Sequence, residues 1–132
     1  VYGDYWEPVY DLSGNELVQS PATTVHFGAE YTANFENADL QVVSRIDYYW
    51  QDDMFSRIYN NPRDLIEAWD VLNAQIIFQS TVNPWYVKIW GQNLLDDDNI
   101  TGHYFTAEAS GGFRNDFLVD PQMIGISFGA RF

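Results

Sequence analysis

From residue 25 to residue 35 the chain reads VHFGAEYTANF, with Val25, Phe27, Ala29, Tyr31, Ala33 and Phe35 on one parity. His26, Gly28, Glu30, Thr32 and Asn34 fall on the other. Side chains alternate between the two faces of a strand, so a two-residue period held this long predicts a strand with one apolar and one polar face. A polar turn at 36–39 follows, and a second run at 40–51 sets Leu40, Val42, Ser44, Ile46, Tyr48 and Trp50 against Gln41, Val43, Arg45, Asp47, Tyr49 and Gln51. Two such runs with a short polar turn between them read as a hairpin.

The pattern returns three times. Residues 72–80 place Leu72, Ala74, Ile76 and Phe78 opposite Asn73, Gln75, Ile77 and Gln79, with Ile77 interrupting the polar face. After a turn at 81–84, Trp85, Val87 and Ile89 alternate with Tyr86, Lys88, Trp90 and Gln92. The final run, 122–132, sets Ile124, Ile126, Phe128, Ala130 and Phe132 against Gly125, Ser127, Gly129 and Arg131. The connections alternate in length: two are four-residue turns, whereas 52–70 and 94–121 span 19 and 28 residues. Unstructured connections that long are uncommon in compact soluble domains. They are expected in outer-membrane barrels, which have short turns on one side of the membrane and long loops on the other.

Charge sharpens this division. Of 19 acidic residues, 15 lie in 1–23, 52–70 or 96–120, outside the predicted strands. The chain is 46% hydrophobic and 17% aromatic, yet carries a net charge of -13, and its apolar residues are interleaved rather than run together. Disorder is disfavoured by that apolar content, and a transmembrane helix by the interleaving. An acidic chain with six Lys and Arg is also unsuited to nucleic acid, whose phosphates call for a basic surface. Cysteine is absent, which removes disulfides and thiolate metal sites. The opening on Val1, without Met or a signal-peptide core, is what a processed or truncated chain shows.

The dimensions suit a bilayer. Ten steps of about 3.3 Å separate Leu40 from Trp50, and at a tilt near 40° they rise roughly 25 Å, the height of the apolar band in such barrels. Trp50 and Trp85, with Tyr31 and Phe35, are candidate membrane-interface aromatics. Five strands do not close a barrel, so residues 1–132 read as a C-terminal segment of a larger one. Residues 1–8 are the candidate top of a preceding strand.

Several segments, in order, carry a family resemblance: DLSGNELVQSP, HFGAEYTANF, RIDYYWQDD, LNAQIIF, VKIWGQNLLDD and MIGISFGARF. Together they resemble the end of proteobacterial TonB-dependent receptors. The resemblance implies an all-β fold, an antiparallel transmembrane β-barrel segment forming the last five strands of a 22-stranded barrel, in the outer membrane of a Gram-negative bacterium. It implies uptake of a scarce nutrient, often an iron-siderophore complex, powered through the TonB protein. The partners it implies are outer-membrane lipid, the rest of the barrel, a plug domain absent from these residues, TonB through that plug, and the outer-membrane assembly machinery. Ile124, Ile126, Phe128 and Phe132 resemble the terminal signal that this machinery reads, an aromatic edge strand suited to β-augmentation.

Other candidate chemistry is sparse. Glu30, Arg45 and Asp47 share the face assigned to the lumen, as substrate or plug contacts or as an internal charge network. The acidic run Asp96, Asp97, Asp98 and Asn99 offers oxygens for a hard cation but lacks the glycine and terminal glutamate of an EF-hand loop. His26 and His103 lie far apart in the sequence, as ordinary polar positions rather than metal ligands. No cofactor is called for, and no nucleophile, base and orienting group fall at persuasive spacing, so the chain reads as non-enzymatic. A rival of another class is a soluble β-sandwich carbohydrate-binding module stacking Trp69, Trp90 and Tyr104 on sugars, which leaves the strand length and loop asymmetry unexplained. A small complete barrel of the porin or adhesin kind needs more strands than these.

Overall fold

The computed structural model describes residues 10–130. Nine strands follow in chain order: β1 (Thr24–Phe35), β2 (Leu40–Gln51), β3 (Met54–Phe55), β4 (Leu65–Ile66), β5 (Trp69–Ser80), β6 (Trp85–Gln92), β7 (Ile100–Phe105), β8 (Arg114–Leu118) and β9 (Met123–Ala130). Five of them form one antiparallel meander in the order β1-β2-β5-β6-β9. These are the five strands expected from the alternation, and the fold is all-β.

The register keeps every parity in step. One row across the sheet runs Ala33, Val42, Phe78, Val87 and Phe128, and the next runs Tyr31, Ser44, Ile76, Ile89 and Ile126. A slip of one residue between any two strands would send half of each row to the opposite face. The short turns set the register at one end. Glu36–Ala38 form a single 3-10 turn closed by Asp39 in the left-handed region, a conformation that Asp tolerates better than most residues. Ser80 Oγ accepts the backbone N–H of Asn83 at 3.0 Å in the second turn, and Thr81 N–H reaches Asp39 O at 2.9 Å, tying the two turns together.

Two features depart from the sequence reading. The third long strand begins at Trp69 rather than near Leu72, because its start inverts the pattern. Trp69 and Val71 lie on the polar face against Gln51 and Tyr49, while Asp70 lies on the apolar face against Trp50 and accepts the Tyr48 hydroxyl at 2.9 Å. The long connections are not unstructured either. Between β2 and β5 the chain folds into the β3–β4 ribbon, and between β6 and β9 into β7–β8, with β4 and β7 in contact. Residues 10–23 join this end of the sheet through a bridge from Val18 to Phe55 and through Asn15 Nδ2, which donates to Ile58 O at 2.7 Å.

Among the described residues no second layer covers the meander. Among the described apolar residues only Ile66, at 1% exposure, is buried, and it sits in the loop ribbons rather than beneath the sheet.

Candidate functional site

The sheet presents two surfaces of opposite character. On one, Val25, Phe27, Tyr31, Phe35, Ile46, Ile76, Trp85, Ile89, Ile124, Ile126 and Phe128 are all exposed. An uncovered apolar surface of this extent is unusual for a monomer in water and marks contact with lipid or protein. Trp50 stands at the loop end of this face, and Trp85 and Phe35 at the turn end. Tyr31 does not stand at an end: its row is the middle one, level with Ile76.

β9 is an edge strand, and its Ile124, Ile126 and Phe128 rise to 70%, 73% and 86% exposure. Phe132, the last member of the candidate assembly signal, lies outside the described residues, as do residues 1–8.

The opposite surface is polar and internally bonded. Arg45 Nε and Nη2 donate to the two carboxylate oxygens of Asp47 at 2.7 and 2.8 Å, and its Nη1 stands 3.8 Å from Glu30 of the neighbouring strand. The three residues foreseen on this face are thus one charge cluster. Its members remain partly exposed, so solvent screens the pairs and they contribute little to stability. Asn34, Gln41 and Gln79 form an amide ladder across three strands. Nearer the edge, Tyr86 and Trp90 lie over Gly129 and Gly125 of β9, and Trp90 Nε1 donates to Ser127 Oγ at 3.2 Å. His26 takes its place on this face opposite Tyr49.

A third cluster, not foreseen from the sequence, holds the long loops together. Asp64 is wholly buried and accepts both Nε and Nη2 of Arg57 on Oδ1, at 2.7 and 2.5 Å. Its Oδ2 receives the backbone N–H of Asn61 at 3.3 Å. The Arg57 guanidinium also sits 4.0 Å from the Phe105 ring centroid, a cation–π contact. Beside it, Ser56 Oγ lies 2.6 Å from His103 Nε2. Burial pushes the His103 imidazole below its usual protonation range, and nearby Arg114 adds to that shift.

A serine and histidine at this distance resemble two-thirds of a hydrolytic triad. The triad needs a carboxylate on the other ring nitrogen to orient and stabilise the imidazole, and His103 Nδ1 has no hydrogen-bond partner among the described residues. The pair ties the residue that follows β3 to β7. The signal was present in the sequence only as isolated loop residues 47 positions apart, with no period to join them.

Asp96, Asp97 and Asp98 lie in the turn after β6, where Asp96 N–H bonds Asn93 O at 3.0 Å. No three His, Asp or Glu side chains gather as a metal-ligand set among the described residues. Trp69 and Trp90 lie on the polar face of the sheet, whereas Tyr104 is in the β7–β8 ribbon, so the three aromatics weighed as a sugar platform do not share a surface. No helix among the described residues is long and apolar enough to cross a membrane, which leaves strand crossing open. No family model, curated protein or solved structure matches the chain.

Proposed function

We propose that this chain forms the C-terminal strands of an outer-membrane β-barrel receptor of the TonB-dependent kind. The observation that carries the reading is the uncovered apolar face of the meander, backed by a polar face and, among the described residues, by no buried core beneath either. In water such a sheet loses the hydrophobic burial that stabilises a domain. In a barrel the same face meets lipid, and the polar face lines the lumen. The edges of β1 and β9, unpaired among the described residues, are then the sites where further strands continue the wall, since open edges are not tolerated in lipid.

On this reading the bonded turns at 36–39 and 81–84 face the periplasm and the ribboned loops face outward. Trp50 and Trp85 stand at the two interfaces. The charge cluster of Glu30, Arg45 and Asp47 belongs to the inner wall, where it meets plug or solute. Ile124, Ile126 and Phe128 serve as the part of the assembly signal that ends at Phe132. The role is non-enzymatic: uptake of a scarce nutrient, with an iron-siderophore complex as the cargo the resemblance implies, driven by TonB through a plug domain.

Fractionation of cells expressing the full-length gene product tests the proposal. The expected outcome is recovery in the outer-membrane fraction, release only by detergent, and a folded form that runs differently from the boiled one on a gel. Recovery as a detergent-free monomer with a cooperative melt overturns it and favours a soluble binding module.

A further inference from the structure

The two faces of the β7–β8 ribbon meet different surroundings. Directly opposed residues of an antiparallel pair share a face, so His103 with Asp116 and Phe105 with Arg114 lie on one side, and Gly102 with Phe117 and Tyr104 with Asn115 on the other. The first side is packed: His103 is buried against Ser56, and Phe105 carries the Arg57 guanidinium over its ring. The second is open among the described residues. Tyr104 keeps 51% and Phe117 57% of its surface exposed, and their ring centroids lie 5.8 Å apart. Phe113, just before β8, is exposed as well.

Adjoining aromatic rings left in water contribute little to the fold, and contiguous exposed apolar surface marks an interaction site. The charge of the excursion selects the partner. Residues 93–122 carry the carboxylates of Asp96, Asp97, Asp98, Glu108, Asp116 and Asp120 against one cation, Arg114. That cation is already held by Asp116 at 2.5 Å. A second copy of this chain, with its own net charge of -13, is repelled by such a loop, and so is an anionic lipid headgroup. A cation is attracted by the carboxylates and by the ring faces alike.

We infer that the open face of β7–β8 docks a cationic polypeptide segment, with arginine side chains stacked on Tyr104 and Phe117 and their charge met by the carboxylates of the excursion. Arginine suits the face better than lysine, because a planar guanidinium stacks on a ring while its N–H groups stay free for carboxylates. The ribbon's packed face makes the same kind of contact within the chain: Arg57 lies 4.0 Å from the Phe105 centroid while it bonds Asp64. The inference goes beyond the proposed receptor role, since its ligand is a polypeptide rather than a transported solute. It holds whichever medium the five-stranded sheet faces.

The test adds a dodecapeptide of four Arg-Gly-Ser repeats to the detergent-solubilised full-length gene product and follows binding by calorimetry. Saturable binding is expected, weaker with Lys in place of Arg and absent with Glu. It should weaken about tenfold in Tyr104→Ser/Phe117→Ser, the loss of a small aromatic hot spot. Raising the salt from about 0.05 to about 0.5 M should weaken it too, by screening the carboxylates. Independently of these variants, p-benzoylphenylalanine placed at position 117 should crosslink to the bound peptide on illumination. No saturable binding overturns the inference, and so does binding that the double variant leaves unchanged, which is attraction to acidic charge alone. A crosslink from position 117 to another segment of its own chain, formed without peptide, overturns it as well, because the face is then already covered. Fractionation separates this inference from the receptor reading: a soluble protein that binds the peptide through Tyr104 and Phe117 keeps the docking face and loses the receptor, whereas a membrane-embedded protein that binds none does the reverse.

Discussion

The indole of Trp90 on β6 occupies the space in which Gly125, its register partner on β9, would otherwise carry a side chain. A Cβ placed on Gly125 would stand 2.6 Å from Trp90 Cε2. Tyr86 stands in the same relation to Gly129 four residues along the pair, its ring Cζ 2.8 Å from the position of a Cβ. These two aromatic-on-glycine contacts hold β9 in register where no short turn does so, because a long excursion separates it from β6.

Gly125→Ala should therefore cost about 1–3 kcal/mol, the usual range for overpacking a fitted contact. The double variant with Trp90→Ala should cost less than the sum of the two single changes. Denaturant titration of the full-length protein in lipid vesicles measures both. Additive costs would show that ring and glycine are not coupled.

Face assignment is tested by neighbouring residues. Ile76 is on an interior row of the apolar face and 40% exposed, and if that face meets lipid as proposed, Ile76→Arg should destabilise the full-length protein in lipid by about 2–4 kcal/mol, the cost of a cation near the bilayer midplane. Gln75→Arg, on the polar face opposite Arg45, should cost much less, since Asp47 and Glu30 already neutralise that region. A larger cost for Gln75→Arg would mean that the faces are exchanged, and equal costs that neither face meets lipid.

What the sequence made legible follows from the physics of each part. Strands with a clean two-residue period, such as 25–35 and 40–51, declare themselves because one face is apolar and the other polar along their whole length. The start of β5 did not, because Trp69 and Val71 face the polar side and Asp70 the apolar side, so the local period points the wrong way. The charge cluster of Glu30, Arg45 and Asp47 was legible as shared parity. The pairing of Arg57 with Asp64 and of Ser56 with His103 was not, since loops carry no period and their contacts are set by tertiary packing alone. Tyr31 shows the complementary limit: parity places a residue on a face, whereas its height on that face comes from register.

The loop cluster should open when its ion pair is broken. Asp64 is fully buried while 41% of the Arg57 side chain remains exposed, so in Asp64→Ala water takes over part of the lost interaction, and a local cost of about 1–3 kcal/mol is expected. Protease added to whole cells should cut the variant within 52–68 or 93–122 faster than the wild type, without faster cleavage near Glu36 or Asn83. Preferential cleavage at those short turns would invert the proposed topology.

The His103 contact gives a pH dependence with a definite sign. Its folded-state protonation range lies below the ordinary value of 6.5, so the unfolded loop binds the proton first as pH falls. The contribution is complete above about 6.5 and declines as the solution becomes more acidic, until the folded form is protonated too. Arg57 and Arg114 oppose the imidazolium, while Asp64 and Asp116 favour it, and the net direction is set by burial. Protease sensitivity of the loops should rise below pH 6.5 and be flatter in His103→Gln. A wild type whose sensitivity is constant from neutral to mildly acidic pH would contradict the assignment.

The 30-residue excursion between β6 and β9 has a consequence for how this chain can vary. The entropy of closing a loop grows only with the logarithm of its length, so doubling the excursion would cost about 0.6 kcal/mol. The pairing of β9 is meanwhile anchored by Trp90 and Tyr86, inside the sheet. Insertions and deletions can therefore accumulate at the loop end of the sheet without disturbing strand alignment, whereas the turns at 36–39 and 81–84, bonded to each other, admit almost none. Diversity is confined by construction to one rim.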